Sequence, residues 1–83
     1  MEGLSVPRND VELRVCRVRP DVPALDRTFD YLVPESMADI VRVGTIVRVP
    51  LAGRRVRGWV VEDGVEPETE TERLRPLAKV VGA

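Results

Sequence analysis

The chain has 83 residues, a net charge of −1 and no histidine, which bounds it to one small domain with a thin core, because a chain of this size buries only about 60–65% of the surface its unfolded form exposes. Without histidine there is no neutral-pH imidazole base, no Ser-His or Cys-His nucleophile pair and no zinc site of the usual kinds, and no glycine-rich phosphate loop is present, so the chain by itself is not expected to be an enzyme or to hold a metal or cofactor. The apolar runs fall far short of the ~20 residues that cross a bilayer, no basic-then-apolar start reads as a signal peptide, and the lone Cys16 fits a buried apolar position in a reducing cytosol; a soluble, cytoplasmic protein is expected.

Residues 1–10, MEGLSVPRND, read as a flexible leader, and residues 11–82 as the folded domain. VELRVCRVR (11–19) alternates, with Val11, Leu13 and Val15 on one face, and then slips phase at Cys16 and Val18, which predicts a bulge near Val15–Cys16. PDVPALD (20–26) is a double-proline loop that cannot continue a ladder. In TFDYLV (28–33), Phe29, Tyr31 and Val33 share one face of a second strand and Thr28, Asp30 and Leu32 the other. ESMADIVRVG (35–44) reads as a loose or briefly helical turn ended by Gly44. TIVRVP (45–50) is a third strand with Val47 and Val49 on one face, closed by Pro50, and LAGR forms a tight connection.

RVRGWVVE (55–62) is a fourth strand with Val56, Gly58 and Val60 on one side and Arg57, Trp59 and Val61 on the other. Gly58 inside it predicts a bend or a close backbone approach. DGVEPETETE (63–72) reads as a solvated, mobile acidic loop, and the end of RLRPLAKVV (73–81) as a fifth strand. Valine dominates the apolar residues and favours pleated surfaces. The sum is an all-β fold, a small partly closed antiparallel barrel of five to six strands (OB-like), with at most one short helix.

The charges are segregated. Residues 41–61 carry Arg42, Arg48, Arg54, Arg55 and Arg57 and no acid; residues 62–72 carry six acids and no base. Every basic residue except Lys79 is arginine, the side chain suited to bidentate phosphate contact and stacking. The net charge argues against a nucleic-acid binder and the local pattern argues for one; the pattern decides, because binding is felt within a Debye length of about 8 Å.

Three blocks, LDRTFDYLVPE, VGTIVRVPLAGRRVRGWVV and ERLRPLAKVV, resemble the N-terminal 3′-end DNA-binding domain of the PriA (primosomal protein N′) family of replication-restart helicases, over about residues 11–81. The blocks TFDY-x-VPE and VRVP-x-x-G-x-x-x-x-G-x-V are specific jointly, in this order and spacing. The resemblance implies a module that recognises the free 3′ end of a nascent strand at a stalled or branched fork through a pocket for the terminal nucleotide. Its Phe-Asp pair falls on Phe29 and Asp30, its turn glycine on Gly53, and its late basic residue on Arg75, where many members have lysine; the charge is kept on a wider head group. It further implies a longer ATP-dependent 3′-to-5′ DNA helicase with magnesium and cysteine-bound zinc, acting with other primosome proteins and single-stranded DNA-binding protein. The chain's end at VGA then reads as a fragment or a truncated reading frame.

The chemistry fits these residues. A carboxylate accepts a hydrogen bond from a 3′-hydroxyl and repels a 3′-phosphate, glycine lets a backbone approach the sugar, and Arg54, Arg55 and Arg57 beside Gly53 suit phosphate contact. Plainer readings stand alongside: Phe29 in the core by its parity, Asp30 capping a turn or pairing with Arg27, the three arginines as a solvated turn, and Trp59 as barrel packing. So do two rival functions, a protein-interaction barrel and an RNA-binding barrel that does not discriminate 3′ ends.

Overall fold

The alternating segments form five antiparallel strands: β1 (Val15–Pro20), β2 (Phe29–Leu32), β3 (Ile46–Leu51), β4 (Arg54–Asp63) and β5 (Lys79–Gly82). The computed structural model describes residues 13–68 and 71–82; the leader expected at 1–10 lies outside them. The strands build one sheet in the order β2-β1-β4-β3-β5. Among the described residues the helical structure is two short 3-10 turns, Glu35–Met37 and Thr71–Arg73, in agreement with the expected all-β class.

The sheet is not closed by a ladder. Its two ends are linked by the segment leading into β5: Pro76 bridges Leu32, the Leu32 N–H donates to the Arg75 carbonyl, the Leu77 N–H donates to the Leu32 carbonyl, and the Ala78 N–H donates to the Arg48 carbonyl on β3. One short run of chain thus lies along β2 and then joins β3. This places Arg75 between the two edges, which matters for the site below.

Period-2 alternation fills the interior. Cys16, Val18, Tyr31, Val33, Val41, Val47, Val49, Val60 and Leu77 form the buried cluster, with Phe29, Met37, Val56 and Val80 packed against it. Burial pushes the Cys16 thiol up to about 12, so it stays protonated and behaves as a small apolar side chain. Tyr31 buries its ring and satisfies its hydroxyl by donating to the Pro50 carbonyl at 2.8 Å, which ties β2 to the end of β3 across the core.

Gly58 is required by contact. A Cβ there would lie 2.7 Å from the Arg19 carbonyl oxygen and 2.9 Å from Val18 Cγ1, so β1 and β4 meet closer than any side chain permits. The connection after β3 is a two-residue turn in which both Ala52 (φ 52°) and Gly53 (φ 79°) have positive φ, the sign pattern of a type I′ hairpin. The hairpin extends β3 past Pro50, which pairs with Arg55, to Leu51, which pairs with Arg54.

Three expectations change. The β1 irregularity falls between Arg17 and Val18, where the partner steps from Glu62 to Val60; the extra residue is Val61 on β4, not one at Val15–Cys16. Val15 and Cys16 are both buried at the strand's start, Cys16 in the core cluster and Val15 where its carbonyl accepts from the Val65 N–H. Leu13, assigned to the same face as Val15, is exposed. The acidic segment is not free: over residues 62–68 it continues β4 and then docks on β1 and β2 through backbone groups and carboxylates, as described next.

Candidate nucleic-acid interface

β2 is an edge strand whose partner ladder is β1, so one flank is open to the segment 73–75. Between them lies a cavity of about 440 Å³ lined by Arg27, Thr28, Phe29, Asp30, Tyr31, Glu68, Arg73, Leu74 and Arg75, within the ~300–1,000 Å³ of small-ligand sites. Beside it a second hollow of about 290 Å³ is lined by Pro50, Leu51, Ala52, Gly53, Arg54, Arg55 and again Arg75. Arg75 is the shared wall. Tyr31 is the shared strut, since it lines the first hollow while its hydroxyl holds Pro50 of the second.

The structure therefore gathers Phe29, Asp30 and Arg75 in one hollow and Gly53, Arg54, Arg55 and Arg75 in its neighbour. Arg57 belongs to neither. It lies opposite Arg48, on the sheet face away from the buried valines. Arg27, Thr28, Glu68 and Arg73 line the first hollow without having been expected there; the basic character of Arg27 and Arg73 was visible in the sequence, but their convergence depends on the 75–77 segment lying along β2.

Asp30 pairs with Arg17 rather than Arg27. Arg17 Nε donates to its Oδ1 at 2.9 Å, and the Glu68 backbone N–H donates to its Oδ2 at 2.8 Å; its side chain is only 7% exposed. Arg17 also reaches Glu62 at 3.2 Å, Glu68 at 3.7 Å and the Glu66 carbonyl. This is what docks the acidic segment. Arg27 instead stands over the Phe29 ring, 4.7 Å from its centroid, a cation–π contact. Phe29 thus packs inward against the core and carries a guanidinium on its other side. Arg14 grips Asp63 with two bonds, Nε to Oδ1 at 3.0 Å and Nη2 to Oδ2 at 2.7 Å, and donates to the Ala38 and Val41 carbonyls, anchoring the 3-10 turn to β4.

Burial pushes the Asp30 carboxyl up, but the bond from Arg17, the Glu68 N–H and the Arg17 charge together hold it below its ordinary value. The bond from Arg14 holds Asp63 below its ordinary value despite burial. A carboxyl depressed in the folded state adds stability that is fully present above its unfolded pKa of about 3.9 and is lost as pH falls through the folded value. Denaturant midpoints are therefore expected to be level from pH 7 to about 5 and to fall below about 4, with Asp63→Asn removing part of the fall. A midpoint at pH 3 equal to that at pH 7 would contradict these pairings.

An open five-stranded barrel with an arginine-rimmed cleft across its edge strands is an arrangement suited to binding a nucleic-acid strand. Comparison with known proteins gives the family. Residues 17–83 match the family described as the 3′DNA-binding domain (3′BD) of PriA, and the chain belongs to that family of DNA-binding modules. It is 51% identical over 62 residues, 75% of this chain, to the probable replication restart protein PriA of Mycobacterium leprae (strain TN), of which it covers 9%. It is 54% identical over 41 residues, 49% of this chain, to that of Mycobacterium tuberculosis (strain H37Rv), of which it covers 6%. The chain thus spans less than a tenth of the length of these relatives. Among the described residues no helix is long and apolar enough to cross a membrane.

Proposed function

We propose that this module receives the free 3′ end of a nascent strand at a stalled or branched replication fork, as part of a PriA-type replication-restart helicase. The observation that carries the reading is a carboxylate, Asp30, in the wall of a nucleotide-sized hollow whose other charged lining is Arg27, Arg73, Arg75 and Glu68. An ionised carboxylate has about four acceptor positions; Arg17 and Glu68 take two, and what remains accepts only a donor. A terminal 3′-hydroxyl is such a donor. A 3′-phosphate offers none and sets its charge against both Asp30 and Glu68.

The rest of the site suits the neighbouring groups. The Arg27–Phe29 stack presents a planar cation on which a base of any identity can lie. The Gly53 turn, where nothing stands within 4 Å of a built Cβ, leaves room for backbone to approach a sugar, and Arg54, Arg55 and Arg75 suit the last phosphates. Recognition by terminus, stack and backbone is nearly independent of base sequence.

Unwinding, with its ATP, magnesium and cysteine-bound zinc, belongs to the longer protein, as do contacts with other primosome proteins and single-stranded DNA-binding protein. Among the described residues no group of three or more His, Cys, Asp or Glu side chains is placed to hold a metal.

The test is binding of a fluorescent single strand ending in 3′-hydroxyl or 3′-phosphate. A hydrogen bond to a charged group contributes about 1.5–3 kcal/mol, so the hydroxyl end should bind at least ~10-fold more tightly, at about 1.4 kcal/mol per factor of ten. With about three phosphates neutralised, log K should fall with log salt at a slope near −2. Equal affinity for both ends would favour a barrel that reads no terminus, and binding indifferent to salt would favour a protein partner.

A further inference from the structure

The arginines divide into two sets. Those on or just before β1 are matched to acids: Arg14 to Asp63, Arg17 to Asp30, Glu62 and Glu68, and Arg19 to Asp26. Those of the other end of the sheet are not. Arg48 on β3 stands directly opposite Arg57 on β4 and directly opposite Lys79 on β5. Residues directly opposite in an antiparallel pair share a face, with Cβ atoms about 4.5–5.5 Å apart, and like charges so placed repel. All three side chains are exposed, and none pairs with an acid among the described residues. Arg55 continues the row two residues along β4.

The same face carries an aromatic. Ile46 and Trp59 are the next opposed pair on β3 and β4, and Trp59 is 36% exposed. It forms one wall of a shallow hollow with Pro20, Asp21, Val22, Pro23 and Leu25, where Asp26 is already held by Arg19. An unmatched cation row beside an accessible ring is the composition of a single-strand platform, with phosphates on the cations and bases on the π-face.

We infer that the outer face of β3, β4 and β5 is a second contact surface for single-stranded DNA, which holds phosphates on Arg57, Arg48 and Lys79 and a base against Trp59, and which reads no terminus. It is separate from the hollow around Asp30 and stands whether or not that hollow discriminates ends. It also gives the repelling row a counter-charge and gives Arg57, which lies outside both hollows, a position of use.

A circularised single-stranded oligonucleotide has no 3′ end and isolates this surface. Trp59 is the one tryptophan in the chain, so its emission reports contact directly. Titration of the protein with the circle should quench that emission saturably, with a salt slope near −2 for about three phosphates. Arg48→Glu, which places an acid between Arg57 and Lys79, should leave folding intact, weaken the circle at least tenfold and make the slope shallower, while leaving the hydroxyl-over-phosphate preference of linear strands as it was. A circle that does not bind, that binds without altering Trp59 emission, or that binds Arg48→Glu as well as wild type overturns the inference.

Discussion

Gly58→Ala is expected to lower the thermal midpoint by about 10–20 °C, through a loss of about 2–3 kcal/mol in a domain of this size. The added methyl would sit 2.7 Å from the Arg19 carbonyl oxygen, 2.9 Å from Val18 Cγ1 and 3.1 Å from Pro20 Cα. Two of these three atoms are backbone and cannot rotate away, so β1 and β4 must separate. That ladder joins β1 and β2 to β4, β3 and β5, and its separation loosens Val18 and Val60, both fully buried. Alanine does restrict the unfolded chain more than glycine, a gain of about 0.4–1 kcal/mol, but the clash outweighs it. Gly82→Ala is the control: a Cβ there meets nothing within 4 Å and should change the midpoint little. A Gly58→Ala protein as stable as wild type would mean that the two strands do not meet as described.

Gly58 also shows what a sequence can disclose. A glycine amid alternating valines marks a close approach, and parity alone places Val56, Val60, Tyr31 and Val33 inside. The strands, the LAGR turn and, among the described residues, the absence of a long helix all follow from local pattern, because each is decided by neighbours two to four residues apart. The position of the bulge is not, since Cys16 belongs to the core cluster while Val15 beside it is buried too and its carbonyl is bonded by the N–H of Val65, distant in sequence.

The site was half legible for the same reason. Phe29 and Asp30 stand out as neighbours, and Gly53 with Arg54 and Arg55 as a basic turn, but their convergence depends on the 75–77 segment lying along β2. The sequence offers Arg27, three residues away, as a partner for Asp30; the carboxylate pairs instead with Arg17, its cross-strand neighbour, and with the Glu68 N–H, 38 residues on. The acidic segment reads as solvated from its composition, while its attachment runs through the Glu62 and Glu68 carboxylates on Arg17 and through backbone groups of Glu66 and Glu68 that composition does not reveal. Charge segregation marks out the arginines, but only the folded arrangement shows that Arg55 and Arg57 share the outer face while Arg55 alone of the two also lines a hollow.

The largest functional effect is expected at Asp30. Asp30→Asn keeps the shape but has one acceptor oxygen for two donors. With that oxygen turned to Arg17 Nε, its amide faces the Glu68 N–H and the hollow as a donor. Some stability is lost, because a charge-assisted bond worth about 1.5–3 kcal/mol becomes a neutral one, although Arg17 retains Glu62. In the hollow the sign of recognition reverses: the amide opposes a hydroxyl hydrogen and welcomes a phosphate oxygen. Arg57→Ala, by contrast, should weaken both ends alike, since a phosphate contact on the outer face positions a strand without reading its terminus.

The central claim is that Asp30 reads the terminus, and the most direct measurement is the ratio of affinities for 3′-hydroxyl and 3′-phosphate strands, taken for wild type and Asp30→Asn side by side, with folding of the variant verified by circular dichroism. The predicted result is a wild-type ratio of at least ~10 in favour of the hydroxyl, set by the loss of a charged hydrogen bond, that collapses to near one or inverts in the variant. A folded Asp30→Asn protein that keeps the wild-type ratio would contradict it, and would leave Asp30 as an anchor for Arg17 and the acidic segment with the terminus read elsewhere.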